Sequence, residues 1–232
     1  MAGLLSRAPL ALVVAALAGC GADGSATAGT DQRLLLDSRP RAVHAGAYLA
    51  ADRGFDDVEG VDLELRVPGR RADPVALLRG GRVNAAIMPL REFAQRGAPA
   101  DLVAVMAVVQ RPPDAPAGAP QYPALVLAVT RATLLDRRDE IAALIRALQR
   151  GTTEAVTDPE SAVSAMLAAR ENLDRARLLE ELSEIAPAFT AGARAYGELD
   201  ADAAQGWARR RGIALDVERA FDTTLVGKFS RD

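Results

Sequence analysis

Among 232 residues there is one cysteine (Cys20), one histidine (His44), one lysine (Lys228) and one tryptophan (Trp207). A lone cysteine excludes an internal disulfide and any cysteine-based metal site. A lone histidine, with no cysteine beside it, makes a structural metal centre a poor expectation. Aromatic residues are only 4 % of the chain, and the net charge is −3. That charge offers no basic footprint for nucleic acid. No P-loop, no Rossmann glycine fingerprint and no Ser-His-Asp order is present. Carboxylates are numerous but scattered at helical spacing from arginines, the pattern of a solvated face.

What is there begins with a targeting pattern. Arg7 precedes an apolar run from Pro9 to Gly19, PLALVVAALAG, too short to span a bilayer. Leu17-Ala18-Gly19-Cys20 closes it and resembles a bacterial lipobox. Residues 1–19 are expected to be a lipoprotein signal peptide, with Cys20 the lipidated residue. More than one acyl chain makes such an anchor stable. Residues 20–32 are small and polar and read as a flexible tether. The folded region is expected to start at Arg33, leaving roughly two hundred residues, enough for one good core or two small ones.

Past the tether, strand and helix signals alternate, which argues for an α/β sheet. Arg33–Asp37 is a short apolar run of the buried-strand kind, broken by Pro40. A helix is expected from Val43 to Arg53, stopped by Gly54. Val61–Val67 alternates apolar and charged residues, as a half-buried strand does. A short helix over Ala72–Arg79 leads to a strand at Val83–Met88. A helix over Leu90–Arg96 leads to a strand at Leu102–Val109. The Pro- and Ala-rich stretch from Pro112 to Pro120 continues neither element. A strand resumes at Tyr122–Thr130, and helices follow. One carries Ile141, Leu144, Ile145 and Leu148 at helical spacing, with Gly151 a partial break. One starts at Asp158-Pro159, with Asp as N-cap and Pro first; another runs over Leu173–Ile185, capped by Asp174; and Leu199-Asp200 opens one more, ending near Gly212. The last expected helix is Val217–Phe221.

The phrases LLLDSRPRAVHAGAYLA, RGFDDVEGVDLELRVPG and LLRGGRVNAAIM resemble the thiamine-pyrimidine-synthase-like (NMT1/THI5-like) family of ABC-transporter substrate-binding lipoproteins. YPALVLAVTRATL, ALIRALQRGTTEAVTDPESAV and APAFTAGARAYGELD carry the resemblance towards the C-terminus. It implies an α/β fold: one lobe of a type II periplasmic-binding-protein-like fold, with a parallel-dominated sheet, followed by C-terminal α-helices. It implies a solute receptor and not an enzyme, lipid-anchored outside the cytoplasm, with an ABC permease as partner and no cofactor. The implied ligand is a thiamine pyrimidine precursor or a related small heterocycle.

Members of that family hold ligand between two lobes. Here residues 33–110 read as one α/β lobe and 111–121 as a Pro-rich connection standing where the second lobe would be. Residues 122–232 read as the returning strand and a helical region packed on the same lobe. One lobe suggests a degenerate paralogue, a dimer that rebuilds the cleft, or a deletion product.

The expected ligand-binding residues are Asp37, Ser38, Arg41, His44, Met88 and Tyr122. Asp37 ends the first strand, where open α/β sheets place ligand contacts, or else it is a turn residue bonding the following backbone. Ser38 stands where the family commonly has a stacking aromatic, and Arg41 where it has Asn. The pair of changes shifts a pocket towards anions. His44 is either a ligand contact at a helix start or a packed residue holding the turn. Tyr122 either faces ligand or shields the hinge strands. Arg91 stands near the position where the family's synthases carry a histidine, so the pyrimidine-synthase reading lacks its chemistry.

Overall fold

The computed structural model describes residues 29–112, 115 and 119–226. Cys20, the signal segment and most of the tether lie outside the described residues.

The first strand, β1, spans Thr30–Leu35, and a 3-10 turn at Ala42–His44 leads into helix α1, Ala45–Asp52. Gly54, at φ 64°, occupies the left-handed region that suits glycine and turns the chain into a short helix α2, Phe55–Val58. Strand β2 is Val61–Arg66, with Val61 and Leu63 buried and Asp62 and Glu64 exposed. Helix α3, Pro74–Arg79, is capped by Asp73, whose carboxylate accepts the Val75 and Ala76 N–H groups. Strand β3 is Ala85–Pro89, and α4, Leu90–Glu92, widens into a π-turn over Phe93–Gly97. Strand β4, Leu102–Val109, is buried along its whole length.

The chain then doubles back, within residues 110–124, into strand β5, Leu125–Thr130. The sheet order is β2-β1-β3-β5-β4. Parallel pairing joins β1 to both β2 and β3, and β5 runs antiparallel to both of its neighbours. Four strands therefore point one way and β5 alone points back.

Helices follow in succession: α5 Arg131–Asp136, α6 Arg138–Thr157, α7 Pro159–Ala169, α8 Arg175–Phe189, α9 Ala201–Arg210 and α10 Val217–Ala220. Asp158 and Asp174 each accept a backbone N–H at the start of α7 and α8, as their positions in the sequence predict, and Asp200 does the same for α9.

The sheet has a core on each face. On one face Leu34, Leu36, Val103 and Val105 meet Leu49 of α1, Leu144 of α6, Met166 of α7 and Leu182 of α8. On the other, Leu35, Ala86, Met88 and Ala104 meet Leu78 of α3, Phe93, Trp207 of α9 and Phe221. The result is an α/β/α sandwich.

Two expectations about this region are corrected. The tether does not reach Gln32, because β1 begins at Thr30. Its first residues are polar yet paired: Thr30 donates its N–H to the Gly60 carbonyl (3.1 Å), and the buried Gln32 donates Nε2–H to Glu140 Oε2 (3.0 Å). Polar composition alone does not separate such a strand end from a linker. Nor does Gly151 break α6, which runs on to Thr157. A Cβ at Gly151 would lie 2.1 Å from the Gly46 carbonyl oxygen, and one at Gly46 would lie 2.5 Å from the Thr152 Cα. Glycine is there because α1 and α6 cross backbone to backbone.

The far edge of the sheet is covered by later segments. Ala107 donates its N–H to the Gly197 carbonyl (2.9 Å), and Asp222 donates its N–H to the Ala104 carbonyl (2.9 Å). The exposed edge of β4 is thereby closed against pairing with another chain.

Candidate functional site

Both regions of interest lie at the end of the sheet where β1 and β4 finish. The first follows β1. The chain leaves the strand at Leu36 and turns through Pro40 into the 3-10 turn. Asp37, Ser38, Arg41 and His44 come together in that turn. His44 Nε2–H donates to Asp37 Oδ1 at 2.7 Å. The Arg41 guanidinium donates to Asp37 Oδ2 (3.1 Å) and to Ser38 Oγ (3.1 Å). The Arg41 backbone N–H donates to His44 Nδ1 at 3.2 Å. A backbone amide only donates, so Nδ1 must be the accepting nitrogen and Nε2 the protonated one.

His44 is 1 % exposed, and both of its ring nitrogens are committed inside the protein. Its place therefore matches the packed residue that holds the turn, and the ring presents no free nitrogen to a ligand. The Asp37 carboxylate is committed on both oxygens. Burial raises its pKa, but the hydrogen bond from His44 together with the Arg41 guanidinium outweighs that, and it titrates below the usual carboxylate range. Only Arg41 reaches well into water, its side chain 54 % exposed.

Met88 does not join this group. It is fully buried in the core of the opposite face, with Leu35 and Phe93. Side chains alternate along β3, so Ile87 enters the first core and Met88 the second. Arg91 is exposed.

Tyr122 lies in the second region, at the end of β4 and the start of β5. Its ring packs on Trp207 at 5.6 Å between centroids, inclined by 32°. The Arg211 guanidinium lies 5.0 Å from the Trp207 ring and 5.7 Å from that of Tyr122. Trp207 is 2 % exposed and belongs to the core, the role its neighbouring alanines suggest. In front of Tyr122 is a half-open cavity of about 380 Å³, lined by Gln110, residues 121–123 and residues 191–194 and 198–203.

The segment that closes the cavity is tied down by buried amides. Gln110 Nε2–H donates to the Glu198 carbonyl (2.7 Å), and Gln149 Nε2–H donates to the Tyr196 carbonyl (2.7 Å). Arg194 donates its backbone N–H to Glu198 Oε2 and its guanidinium to Oε1, both at 2.7 Å. That hydrogen bonding holds the Glu198 carboxyl below its ordinary range. Apart from Tyr122, this cavity was not legible in the sequence. One signal pointed to it: Gln110 is a polar residue ending an otherwise apolar strand.

A family model described as NMT1/THI5 like matches residues 41–117 and 115–162. No functionally curated protein matches the sequence. Among solved structures, the ligand-binding component of an ABC-type import system from Staphylococcus aureus, with zinc bound, aligns at TM-score 0.63 and 12 % identity. The alignment covers 88 % of this chain and 100 % of that one. The alkanesulfonate-binding protein SsuA from Xanthomonas axonopodis pv. citri, bound to MOPS, aligns at TM-score 0.59 and 11 % identity, covering 83 % and 98 %. A Candida albicans protein described as having the generic periplasmic binding protein fold aligns at TM-score 0.58 and 10 % identity, covering 84 % and 96 %. At such identities the likeness is one of fold, and the fold is that of the periplasmic binding proteins.

Proposed function

Because this chain belongs to the NMT1/THI5-like family, we propose that it is the extracytoplasmic solute-binding component of an ABC importer, held to the membrane by a lipid on Cys20. The observation that carries this reading is the sheet order, with β5 returning antiparallel between β3 and β4. It fits a chain that leaves one lobe at the end of β4 and re-enters it at β5. The partners are then a small molecule, a permease and the membrane. The names of the S. aureus and Xanthomonas proteins support a binding role over an enzymatic one.

A thiamine pyrimidine precursor or related heterocycle is the ligand that the family suggests. Its affinity here is expected to be weak. A single lobe leaves one side of the ligand in water, and about 100 Å² less apolar burial costs roughly 2.5 kcal/mol, nearly a hundredfold. Ser38 in place of an aromatic removes a stacking contact worth about another 0.5–1.5 kcal/mol. A second reading, a tethered module that has lost its ligand, is favoured by one observation: Asp37 and His44 spend their polar atoms on each other and on Arg41.

Two measurements test the proposal. Cys20→Ala should move the protein out of the membrane fraction or leave the precursor uncleaved; identical behaviour of mutant and wild type would remove the lipoprotein reading. Calorimetry on the full chain should find pyrimidine precursors binding no better than about millimolar. Micromolar binding that Arg41→Ala abolishes would show that one lobe suffices and that the weak-binding argument is wrong.

A further inference from the structure

We propose that the face built by α3 and the turns around it is a docking surface for anionic phospholipid head groups, and that it lays the domain on the membrane with this side down. The inference rests on the reading of Cys20 as the lipidated residue and adds an orientation to it.

The net charge of −3 hides an uneven distribution. Residues 69–97 hold six arginines against two carboxylates, a net +4. Both carboxylates, Asp73 and Glu92, pair with the same arginine, Arg96, at 2.6 and 3.1 Å. The other five, Arg70, Arg71, Arg79, Arg82 and Arg91, are exposed, and none of them joins an ion pair among the described residues. Guanidinium groups without an internal counter-charge make a field that attracts an anionic surface.

The fold gathers them on one side. Val75 and Leu78 turn into the second core, so α3 lies on the sheet with Ala76 and Arg79 outward. Phe93 and Ala94 turn inward likewise and leave Arg91 and Arg96 outside. Arg96 reaches Asp73 at the start of α3, so the two segments adjoin. The six residues of α3 put about 9 Å of helix between the Arg70-Arg71 end and the Arg79–Arg82 end.

Position selects lipid over an acidic protein. The Arg33 guanidinium donates to the Gly81 carbonyl at 3.1 Å, which sets the Arg79–Arg82 turn beside the start of β1. Cys20 precedes Thr30 by ten residues, a reach of at most about 36 Å. A lipid on Cys20 therefore keeps this turn near the head groups. An acyl anchor combined with a basic patch is a two-signal attachment. The other side of the sheet has the opposite sign: residues 159–189, which form α7 and α8, carry six carboxylates against three arginines. An anionic surface attracts the α3 side and repels the α7–α8 side.

The test uses the full chain carrying Cys20→Ala, which removes its one cysteine and with it any lipid. A fluorophore is attached through Ala76→Cys on α3 or through Ala168→Cys on α7, both exposed positions. Quenching by a head-group nitroxide is read on vesicles of phosphatidylcholine and phosphatidylglycerol in equal parts, and on phosphatidylcholine alone. On the anionic vesicles quenching at Ala76→Cys should exceed that at Ala168→Cys by about threefold or more. The preference should vanish in about 1 M salt, where the screening length is ~3 Å. Arg70→Ala with Arg71→Ala, and separately Arg79→Ala with Arg82→Ala, should each reduce it by about half or more. These pairs sit at opposite ends of α3, so a folding defect in one leaves the other decisive. Arg175→Ala with Arg177→Ala removes the same charge from α8 and should leave the preference intact. Equal quenching at the two positions overturns the inference and turns the patch towards an acidic protein. A preference that persists on phosphatidylcholine alone, or in both α3 variants, overturns it too. Equal quenching with Cys20→Ala released from the cell membrane would remove the orientation and keep the anchor. The expected preference with Cys20→Ala fractionating like wild type would support the patch and remove the anchor.

Discussion

The turn after β1 and the cavity beside β4 lie at the same end of one sheet, yet they use polar side chains in opposite ways. After β1, Asp37, Arg41 and His44 consume one another's hydrogen bonds within a single turn. Beside β4, Gln110 and Tyr122 are held by residues far along the chain and line a half-open cavity. A cluster close in sequence can satisfy itself. A site assembled from distant segments is fixed by backbone and core, and its side chains can stay uncommitted. Residue type marks Asp37, His44 and Tyr122 alike as candidates, and only their partners tell the two regions apart.

The largest effect should come from loosening the frame behind the closed turn. Gly151→Ala places a methyl group where the Gly46 carbonyl stands, forcing α1 away from α6. A loss of about 3 kcal/mol or more is expected, read as a lower urea midpoint at unchanged slope. A neutral result would mean that the crossing is looser than the contact distances require.

Next comes the charge inside the turn. Asp37→Asn should cost about 1–2 kcal/mol near neutral pH, by removing a carboxylate that pairs with Arg41 and accepts from His44. The folded pKa of Asp37 lies below the 3.8 of a free aspartate. Its stabilisation is therefore present above that value and lost as pH falls through the lowered one. Wild type and mutant unfolding curves should converge in strong acid. A gap that stays constant with pH would show that Asp37 acts by shape and not by charge.

The smallest effect should be on the open side. Gln121→Ala removes an exposed carboxamide at the cavity rim, and stability should change by no more than about 0.5 kcal/mol. A larger loss would mean that the rim is as self-committed as the turn after β1, and the contrast would fail.

Much of the architecture could be read from the residues. The apolar run Leu102–Val109, the alternation in Val61–Arg66 and the cap residues Asp158, Asp174 and Asp200 are local signals with local causes, and they mark strand and helix wherever they sit. The four residues of the Asp37 turn were legible together because eight positions of chain hold them all.

What the residues did not disclose depended on what they meet. Gly151 reads as a helix breaker until Gly46 lies against it. Thr30 to Gln32 read as linker until β2 and Glu140 pair with them. Met88 reads as a site residue until the pleat of β3 turns it into the second core. The cavity needs Gln110 and Tyr122 from one part of the chain and residues 191–203 from another. Periodicity and capping are energies of neighbours along the chain, so the sequence by itself determined the elements and their order. Close approach, burial and enclosed space are energies of neighbours in space, and only the packed tertiary structure decided those.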